Sequence, residues 1–518
     1  MTSKVGGKVT ASLQDFQLHR GIGRSQARDM FNTTLQSKGV KVKHNPSESH
    51  AVGTGDRSPQ GLIAELDPIL RPRSLAVVGA SSSPRKFGRL FTQAFLDMGF
   101  ERLYPVNPRE TEVLGLKAYP RVSEIPDQVD LAFVVTPINT VLSVVEDCGA
   151  KGVKGIVVYA SGFAEQGPEG EALQRKVVSV AHQHGCRIIG PNCMGIYAPQ
   201  SKLSFFPGLP KQAGSIGLVS HSGSLSTLLI RYAESKGLYF NMAISCGNEA
   251  DLNAADFLEW FGADPNLKVI LAYLEGLKEG RRFFELAKEI ARRKPIIVAK
   301  GGMTAEGAKA ANSHTGAMAG SEAIWKALFK QTGVIGVDTI EEMIDTLIAF
   351  CRVPLPRGPR VAIVSGPGGP AVLAADACVK EGLQLAELAS ETKEELAKVI
   401  PSVGTSVKNP VDLGMGVAMM PSMYGAAIEV LATDPGVDAV LALGAGDRTL
   451  ADILVNAYRK TGLPMAVTCL LPPERSPEGY LHLAENGIAA YPEARRAAAA
   501  LVKLLRQGSA ATRLGPRD

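Results

Sequence analysis

The sequence predicts an α/β fold with three Rossmann-like or flavodoxin-like domains, each built on a parallel sheet. From residue 66 onward, short apolar runs alternate with amphipathic stretches of about 10–15 residues, which is the pattern of repeated β-α units. The length of 518 residues allows for three domains at roughly 150 residues each. Each apolar run ends in small or turn-forming residues, and open α/β sheets bind ligands at those strand ends.

The composition is that of an ordinary globular protein and excludes several functional classes. Hydrophobic residues make up 45% of the chain and charged residues 21%, and the net charge of +5 is too small to indicate a nucleic-acid partner. We expect no transmembrane helix and no secretory signal, because apolar runs of the necessary length are missing. The seven cysteines contain no C-x-x-C pair, so we expect neither disulfides nor a zinc site, and a location in the reducing cytoplasm.

Residues 1–65 form a basic N-terminal extension. This segment holds 9 of the 56 Lys and Arg residues but 5 of the 51 Asp and Glu residues. It is rich in hydroxyl and glycine residues and lacks apolar periodicity, which favours a disordered or loosely docked tail. An organelle transit peptide and a partner-docking arm are the alternatives.

The first globular domain is predicted at residues 66–198, with every strand followed by a small-residue turn. The turn after the first strand reads GASSSP, and the second strand ends in Asn107-Pro108. The predicted strands lie at 74–78, 102–106, 131–135, 155–159 and 187–189.

The second domain is predicted at 199–353 and the third at 354–518, with the linker PLPRGP between them. In the second domain we expect a Gly- and Ala-rich loop at 311–320. In the third we expect a last helix at 493–505 and a frayed end after about residue 507. The predicted strands are 215–219, 241–245, 269–273 and 295–300 in the second domain, and 360–364, 383–387 and 439–443 in the third.

Two stretches share one local pattern, a strand, a Gly-containing turn and a helix that opens with small residues. They are SIGLVSHSGSLSTLLI and RVAIVSGPGGPAVLAA. A helix start exposes unpaired N–H groups and the positive end of the helix dipole, so each is a candidate anion site. The residues concerned are Ser222, Gly223 and Ser224 in the first stretch, and Gly368 and Gly369 in the second.

Two histidines stand beside glycines and hydroxyl residues in predicted loops. His221 lies in SHSGSL, and His314 lies in SHTGAMAG within the Gly- and Ala-rich segment. From the residues alone, His314 is either a loop histidine that caps a turn or a reactive histidine that approaches neighbouring helix starts.

A series of motifs settles the family resemblance. In chain order they are VVGASSSPRKFG, YPVNP, FVVTP, ASGFAEQG, GPNCMGIYAP, SIGLVSHSGSLS, GNEADL, YLEGLKEGRRF, KGGMTAEGAKAANSHTGAMAGSE, VAIVSGPGGPAVLAAD and NPVDLG. With these motifs, residues 66–505 resemble the alpha subunit of an ADP-forming acyl-CoA synthetase, a member of the succinyl-CoA synthetase superfamily.

The resemblance implies a reversible reaction that converts acid, CoA and ATP into acyl-CoA, ADP and phosphate through an acyl phosphate and a phosphohistidine. The histidine of the family's SHTGA motif is His314 here. The carboxylate that orients it lies in the YLEG motif and is Glu275. The two helix starts would stabilise the phosphoryl group from two sides.

The resemblance also assigns CoA to the first domain. A dinucleotide site is less consistent with the sequence, because the G-x-G-x-x-G pattern is missing after the first strand. No metal site is expected on this chain. The residues predicted to bind CoA are Gly79, Ala80, Ser81, Ser82, Lys86, Asn107, Pro108, Val135, Thr136, Pro137, Ser161, Gly162 and Asn192.

Two departures bear on the function. The family more often has Gln at the position of His221, which leaves open whether His221 contacts phosphate. No ATP-grasp module is visible, so we expect ATP or ADP and Mg²⁺ to bind mainly on an ATP-grasp beta subunit, in an alpha2beta2 assembly. The carboxylic acid and the choice between ADP and GDP stay open. The alternatives are a CoA-binding regulatory or scaffold protein without turnover, and a plain Rossmann oxidoreductase.

Overall fold

The fold consists of three mostly parallel β-sheets that follow one another along the chain. The computed structural model describes residues 59–315, 321–366, 368–444, 446–469 and 477–514. The predicted α/β class is confirmed. Residues 1–58 of the predicted N-terminal extension lie outside the described residues.

The first sheet has five parallel strands in the order β2-β1-β5-β6-β7. Its central strands are buried at every position, because helices cover both faces of a parallel sheet. The strands are β1 (Leu75–Val78), β2 (Leu103–Val106), β5 (Leu131–Val134), β6 (Gly155–Val158) and β7 (Arg187–Ile189), with a small hairpin of β3 (Glu112–Val113) and β4 (Leu116–Lys117). The helices are Phe87–Met98, Ile138–Lys151 and Pro168–Gln183, with short 3-10 turns at Val122–Glu124 and Ala164–Gln166.

The second sheet has six strands in the order β13-β12-β11-β9-β10-β8. Its edge strand β8 is antiparallel to β10 and comes from residues inside the predicted first domain. The strands are β8 (Gly195–Tyr197), β9 (Ile216–Ser220), β10 (Phe240–Ser245), β11 (Val269–Leu274), β12 (Ile296–Lys300) and β13 (Ile335–Val337). The helices are Gly223–Glu234, Ala254–Ala263, Gly280–Ile290, Ala305–Thr315, Glu322–Thr332 and Ile340–Arg352, with a 3-10 turn at Pro199–Ser201.

The third sheet runs in the order β15-β14-β17-β18-β19, and the short strand β16 also pairs with β14. The strand predicted at 383–387 is only two residues long. The strands are β14 (Arg360–Ser365), β15 (Gln384–Leu385), β16 (Val411–Asp412), β17 (Ala439–Leu443), β18 (Met465–Thr468) and β19 (Ala489–Tyr491). The helices are Gly368–Glu381, Ser390–Val399, Ser422–Leu431, Arg448–Thr461, Pro477–Glu485 and Ala494–Leu514, with a 3-10 turn at Met415–Ala418.

One hydrophobic core is continuous through all three sheets. It contains Phe133 of the first sheet, Leu271 of the second and Leu441 of the third. The outer faces of the first and third sheets have separate cores of their own. The described chain therefore packs as one unit, and the domain boundaries given above stay a prediction. None of the described helices is long and apolar enough to cross a membrane.

The predicted N-terminal extension reaches too far into the fold. A helix at Pro59–Leu70 begins inside it and contacts the helix Ala254–Ala263. Leu66 is fully buried, and Arg71 donates a 2.7 Å hydrogen bond to Asp264. Residues 59–65 were wrongly placed in the extension, because the helix that they begin packs against residues far away in the sequence, on the helix Ala254–Ala263 and at Gly155 of the first sheet.

Two further predictions were wrong at helix ends. The predicted loop at 311–320 is helical up to Thr315, because alanines favour a helix and the Thr304 hydroxyl accepts the Gly307 N–H at 3.0 Å. Residues 316–320 lie outside the described residues. The last helix continues to Leu514, well past its predicted end at residue 505 and past the position near residue 507 where the chain was expected to fray. Arg496 anchors its first turns with two hydrogen bonds to Asp345.

Candidate active site

The second sheet brings a histidine and a carboxylate together at its carboxyl edge. The strand order reverses between β9 and β11, and open α/β sheets bind ligands at such a reversal. His221 follows β9, Glu275 follows β11, and Lys300 ends the neighbouring strand β12. All three are buried, with exposures of 6%, 4% and 8%.

Glu275 is fixed through both its side chain and its main chain. The Tyr273 hydroxyl donates to Glu275 Oε1 at 3.2 Å, and Lys300 Nζ donates to the Glu275 carbonyl at 3.0 Å. Lys300 Nζ also donates to the Gly301 carbonyl and lies 5.3 Å from the centroid of the Trp325 ring. Burial lowers the pKa of Lys300 to about 8, against the opposing charge of Glu275. Burial and, to a lesser extent, the negative charge of Glu275 raise the pKa of Tyr273 to about 12.

His221 contacts Glu275 through the main chain. Its Nδ1 accepts the Glu275 N–H at 3.0 Å, and its Nε2 lies 3.1 Å from Glu249 Oε1. Cys246 Sγ lies 3.4 Å from the same oxygen, so His221, Cys246 and Glu249 form a buried group with a donor set of the kind that binds transition metals.

The hydrogen bonds of that group do not fit a metal on Nε2. Because Nδ1 of His221 accepts an N–H, the proton of the neutral ring is on Nε2, which leaves no lone pair there for a metal. Burial and, to a lesser extent, the negative charge of Glu249 raise the pKa of the Cys246 thiol. This favours the protonated thiol, whereas metal binding needs a thiolate. The group is therefore a hydrogen-bonded cluster.

The first predicted phosphate-binding helix start has the expected form. Ser222 caps the helix Gly223–Glu234, and its Oγ accepts the Leu225 N–H at 3.3 Å. The Ser224 hydroxyl lies 3.2 Å from that of Ser222. Gly223 lacks a Cβ for a packing reason, since a Cβ there would lie 2.0 Å from Cγ of Met194.

A cavity of about 500 Å³ opens beside this helix start. Leucines, Val337, Ile340 and Met343 supply most of its apolar wall. Its polar lining consists of Ser222, Ser224, Tyr273, Lys300, Asp338 and Thr339. The edge of the second sheet can therefore hold a group with an apolar body and a polar end.

The second predicted helix start follows β14 on the third sheet. The helix Gly368–Glu381 begins there, and a Cβ on Gly368 would lie 2.6 Å from Oδ2 of Asp412. A Cβ on Gly369 would meet no atom within 4 Å. The two helix starts thus belong to different sheets, and their joint use stays a prediction.

The backbone of His314 lies in the last turn of the helix Ala305–Thr315, and the described residues do not include its side chain. This helix follows β12, the strand next to β11 and Glu275. The same helix contacts the turn Ala164–Gln166 on the first sheet. It therefore connects the carboxyl edges of the two sheets.

The residues predicted to bind CoA follow strands of the first sheet, at its carboxyl edge. The order of this sheet reverses between β1 and β5, and Gly79 packs there against Val135 and Thr136. Gly79 has a φ of +91°, which favours glycine. Asn107 Nδ2 donates to the Ala80 carbonyl at 2.7 Å. Of the other predicted residues, Lys86, Pro108, Pro137 and Ser161 are exposed, and Gly162 has a φ of +104°.

Sequence reasoning missed Glu110, which holds the turn after β1. The Ser81 hydroxyl donates to Oε1 of Glu110, and the Ser82 N–H donates to Oε2, both at 2.9 Å. The Ser82 N–H keeps the pKa of Glu110 below its ordinary value. No motif singles out Glu110, because the two serines lie almost 30 residues earlier.

A second missed group joins Asn192 to the second sheet. Asn192 has a φ of +58°, and its Nδ2 donates to Oδ1 of Asn248 at 3.4 Å. Asn248 donates to Glu165 Oε2 at 2.5 Å and to Gln174 Oε1 at 3.2 Å. The GNEADL motif therefore holds the turn that contains Asn192 and the turn that contacts the His314 helix.

The three α/β sheets carry the candidate residues at their carboxyl edges, and comparisons with known proteins identify the class as a CoA-ligase type of protein. Family models match a CoA binding domain at residues 73–199, a succinyl-CoA ligase like flavodoxin domain at 213–350 and a Ligase-CoA domain at 361–503. The chain is 40% identical to the alpha subunit of acetate–CoA ligase (ADP-forming) II of Pyrococcus furiosus, over 85% of this chain and 98% of that protein.

Two further relatives extend the comparison. The 4-hydroxybutyrate–CoA ligase (ADP-forming) of Nitrosopumilus maritimus is 37% identical, over 76% of this chain and 58% of that protein. The solved structure of the dinucleotide forming acetyl-coenzyme A synthetase 1 of Candidatus Korarchaeum cryptofilum, in complex with phosphate and ADP, has a TM-score of 0.79. It is 36% identical and covers 87% of this chain and 98% of that chain. The chain belongs to the ADP-forming acyl-CoA ligases, as an alpha-type subunit. Coenzyme A is a substrate of this family.

Proposed function

We propose that this chain carries the CoA site and the phosphorylated histidine of an ADP-forming acyl-CoA ligase, and that His314 is that histidine. The observation that carries the proposal is the position of the helix Ala305–Thr315. It follows the strand next to Glu275 and contacts the turn Ala164–Gln166 on the first sheet. A histidine on this helix is suited to receive a phosphoryl group made at the first sheet.

The proposed chemistry has three reversible steps. Phosphate attacks the thioester carbonyl, the C–S bond breaks, and CoA leaves as a thiol with an acyl phosphate as the other product. A neutral nitrogen of His314 then attacks phosphorus, and the P–O bond to the acid breaks, which releases the carboxylate. ADP finally takes the phosphoryl group from His314 and becomes ATP.

Glu275 is proposed to orient the imidazole of His314 and to stabilise the positive charge that forms on it. Three features support this role: its burial, the hydrogen bond from Tyr273, and the hydrogen bond from Lys300 to its main-chain oxygen. A carboxylate held in this way loses little conformational freedom when the histidine arrives.

The helix starts at Ser222–Ser224 and Gly368-Gly369 are proposed to bind the transferred phosphoryl group. Each presents main-chain N–H groups and the positive end of a helix dipole. Phosphoryl transfer depends mainly on stabilisation of the negative charge of the transferred group. Two helix starts supply this kind of stabilisation.

CoA is proposed to bind at the carboxyl edge of the first sheet. The reversal of strand order at Gly79 and Thr136 supports this position, because ligands of open α/β sheets bind at such reversals. The proposed contacts are the residues predicted from the sequence, with the turn of Asn192 nearest to the second sheet.

ATP or ADP and Mg²⁺ are proposed to bind mainly on a separate ATP-grasp beta subunit. The chain matches nearly all of the Pyrococcus furiosus alpha subunit but 58% of the Nitrosopumilus maritimus enzyme, which supports a partner that supplies the rest. Mg²⁺ prefers oxygen ligands, whereas the grouped donors among the described residues include the ring of His221 and the thiol of Cys246. We propose an alpha2beta2 assembly in the cytoplasm, where the free thiols of the chain would stay reduced.

Copurification from the native source tests this function. We expect an ATP-grasp chain to accompany the protein, and the complex to form ADP and phosphate from ATP when CoA and one of a panel of small carboxylic acids are supplied. His314→Ala should abolish this activity, whereas His482→Ala, a histidine change on the third sheet, should retain it. Unchanged ADP formation in His314→Ala would overturn the proposal.

A further inference from the structure

We propose that His221 is a positioning residue, which sets the main chain at Glu275 through its Nδ1 lone pair and thereby the direction of the carboxylate. This inference rests on the proposed function, since it gives Glu275 the orienting role. His221 is not a phosphate ligand in this proposal. It acts behind the phosphate site, at the junction of β9 and β11.

The main-chain N–H of Glu275 lies just beyond the end of β11. This N–H is the first main-chain donor beyond β11, where the ladder to β9 has ended at Tyr273 and Ser220. The Nδ1 of His221 accepts this N–H at 3.0 Å. The main-chain N–H of His221 donates to the Tyr273 carbonyl at 3.1 Å. His221 therefore extends the pairing of β9 with β11 by two hydrogen bonds, one from its main chain and one to its ring.

Glu249 lies on the other side of the His221 ring. Nε2 lies 3.1 Å from Oε1 of Glu249, and the Ala254 N–H donates to the same oxygen at 2.6 Å. Glu249 has a φ of +51°, a left-handed conformation that is costly for a residue with a side chain and persists only where the surroundings impose it. A fixed, buried carboxylate therefore faces the protonated side of the ring.

These two contacts select one ring state. The carboxylate of Glu249 favours a proton on Nε2, and the Glu275 N–H requires a lone pair on Nδ1. The other tautomer would place an Nδ1–H against the Glu275 N–H, and a reversed ring would place a C–H group there instead of an acceptor. His221 is thus held as an acceptor at Nδ1, in a position to fix the backbone from which the Glu275 side chain starts.

The test compares two substitutions of similar shape. In His221→Asn, the amide oxygen takes the position of Nδ1 and keeps the acceptor, while His221→Leu has no acceptor. We expect phosphoryl uptake on His314 from ATP, in the complex with the beta subunit, to stay within about threefold of wild type for Asn and to fall at least about tenfold for Leu, because a buried N–H without an acceptor is costly. The Kd for CoA should not change in either variant, since CoA is assigned to the first sheet.

One control variant and the possible outcomes separate this inference from the proposed function. His482→Asn repeats the change of residue type at a distant histidine and should behave as wild type. Equal uptake by His221→Asn and His221→Leu would overturn the inference, and so would an equal loss of uptake and of CoA binding in His221→Leu. Metal that copurifies with wild type and is lost from His221→Asn would also overturn it. If wild type itself takes up no phosphoryl group on His314, the proposed function fails instead.

Discussion

Lys300 donates a hydrogen bond from Nζ to the main-chain oxygen of Glu275 at 3.0 Å and thus joins the ends of two neighbouring strands. A buried ammonium group on a carbonyl is unusual, because burial penalises the charged form. Here the Trp325 ring and two carbonyl oxygens replace part of the lost solvation.

We predict that this burial is visible in the pH dependence of stability. The pKa of Lys300 is about 8 in the folded protein against an ordinary value of 10.5, so the unfolded chain holds the extra proton between these values. The difference in the free energy of unfolding between wild type and Lys300→Met should therefore shift in favour of wild type as the pH rises across this window. Below pH 8 this difference should stay constant. Urea unfolding of both proteins, at pH values on either side of the window, measures the difference. Parallel pH profiles would contradict the prediction.

We predict that Gly223→Ala is harmful because of Met194. The added Cβ would lie 2.0 Å from Cγ of Met194 and 3.0 Å from its Cβ. Overpacking of this kind costs about 1–3 kcal/mol and should displace the helix start that is proposed to bind phosphate. The double variant Gly223→Ala with Met194→Ala should recover much of the loss, measured by thermal unfolding and by phosphoryl uptake. A single variant as stable and active as wild type would refute the clash.

We predict that Asp251 is important for the connection between the first and second sheets. Its buried carboxylate receives hydrogen bonds from Arg187 at 2.9–3.2 Å and lies 3.0 Å from Nε2 of His182. Burial alone would raise the pKa of Asp251, but His182 and Arg187 outweigh burial, so the pKa in the folded protein is lower than the ordinary value. The carboxylate therefore stabilises the fold above its ordinary pKa, and this stabilisation is lost as the pH falls through the pKa of the folded protein.

Asp251→Ala should lower the free energy of unfolding at neutral pH by about 3 kcal/mol, because it leaves Arg187 without its main partner. Urea unfolding measures this loss. Asp452→Ala is a suitable control, since Asp452 pairs with His482 but is half exposed. An equal effect of the two variants would show that Asp251 has no special role.

We predict that Glu275→Gln separates phosphorylation from CoA binding. Glutamine keeps the shape of the side chain and removes the charge that would stabilise a positive imidazole. Phosphoryl uptake should fall about tenfold or more, in keeping with the loss of a charged hydrogen bond. Titration with CoA should give the wild-type affinity. Equal loss of both would indicate a folding defect and would argue against the orienting role.

Much of the fold follows from local sequence patterns. The runs before Gly79, Thr136 and His221 are short and apolar and end in turn residues, and each is a strand within one or two residues of its predicted bounds. The same patterns placed the candidate residues at strand ends, because parallel strands align their carboxyl ends.

The remainder depends on contacts between residues far apart in the sequence. The local sequence does not distinguish Glu249 and Glu110 from other acidic residues. Their roles depend on contacts that form only in the fold, with His221 for Glu249 and with Ser82 for Glu110. The helix at Ala305–Thr315 was missed because its glycines indicate a loop and its alanines a helix, and local sequence does not decide between them. The start of the helix Pro59–Leu70 was missed because this helix packs against the helix Ala254–Ala263, which lies far away in the sequence.

We propose above that His314 carries a phosphoryl group during turnover, and labelling tests this directly. The complex of this chain with its beta subunit should be incubated with labelled ATP, and the label should be located by peptide mapping and by its lability in acid. We predict acid-labile label on His314 in wild type and in His482→Ala, and none in His314→Ala. Acid-labile label retained by His314→Ala would show that the phosphoryl group is carried elsewhere.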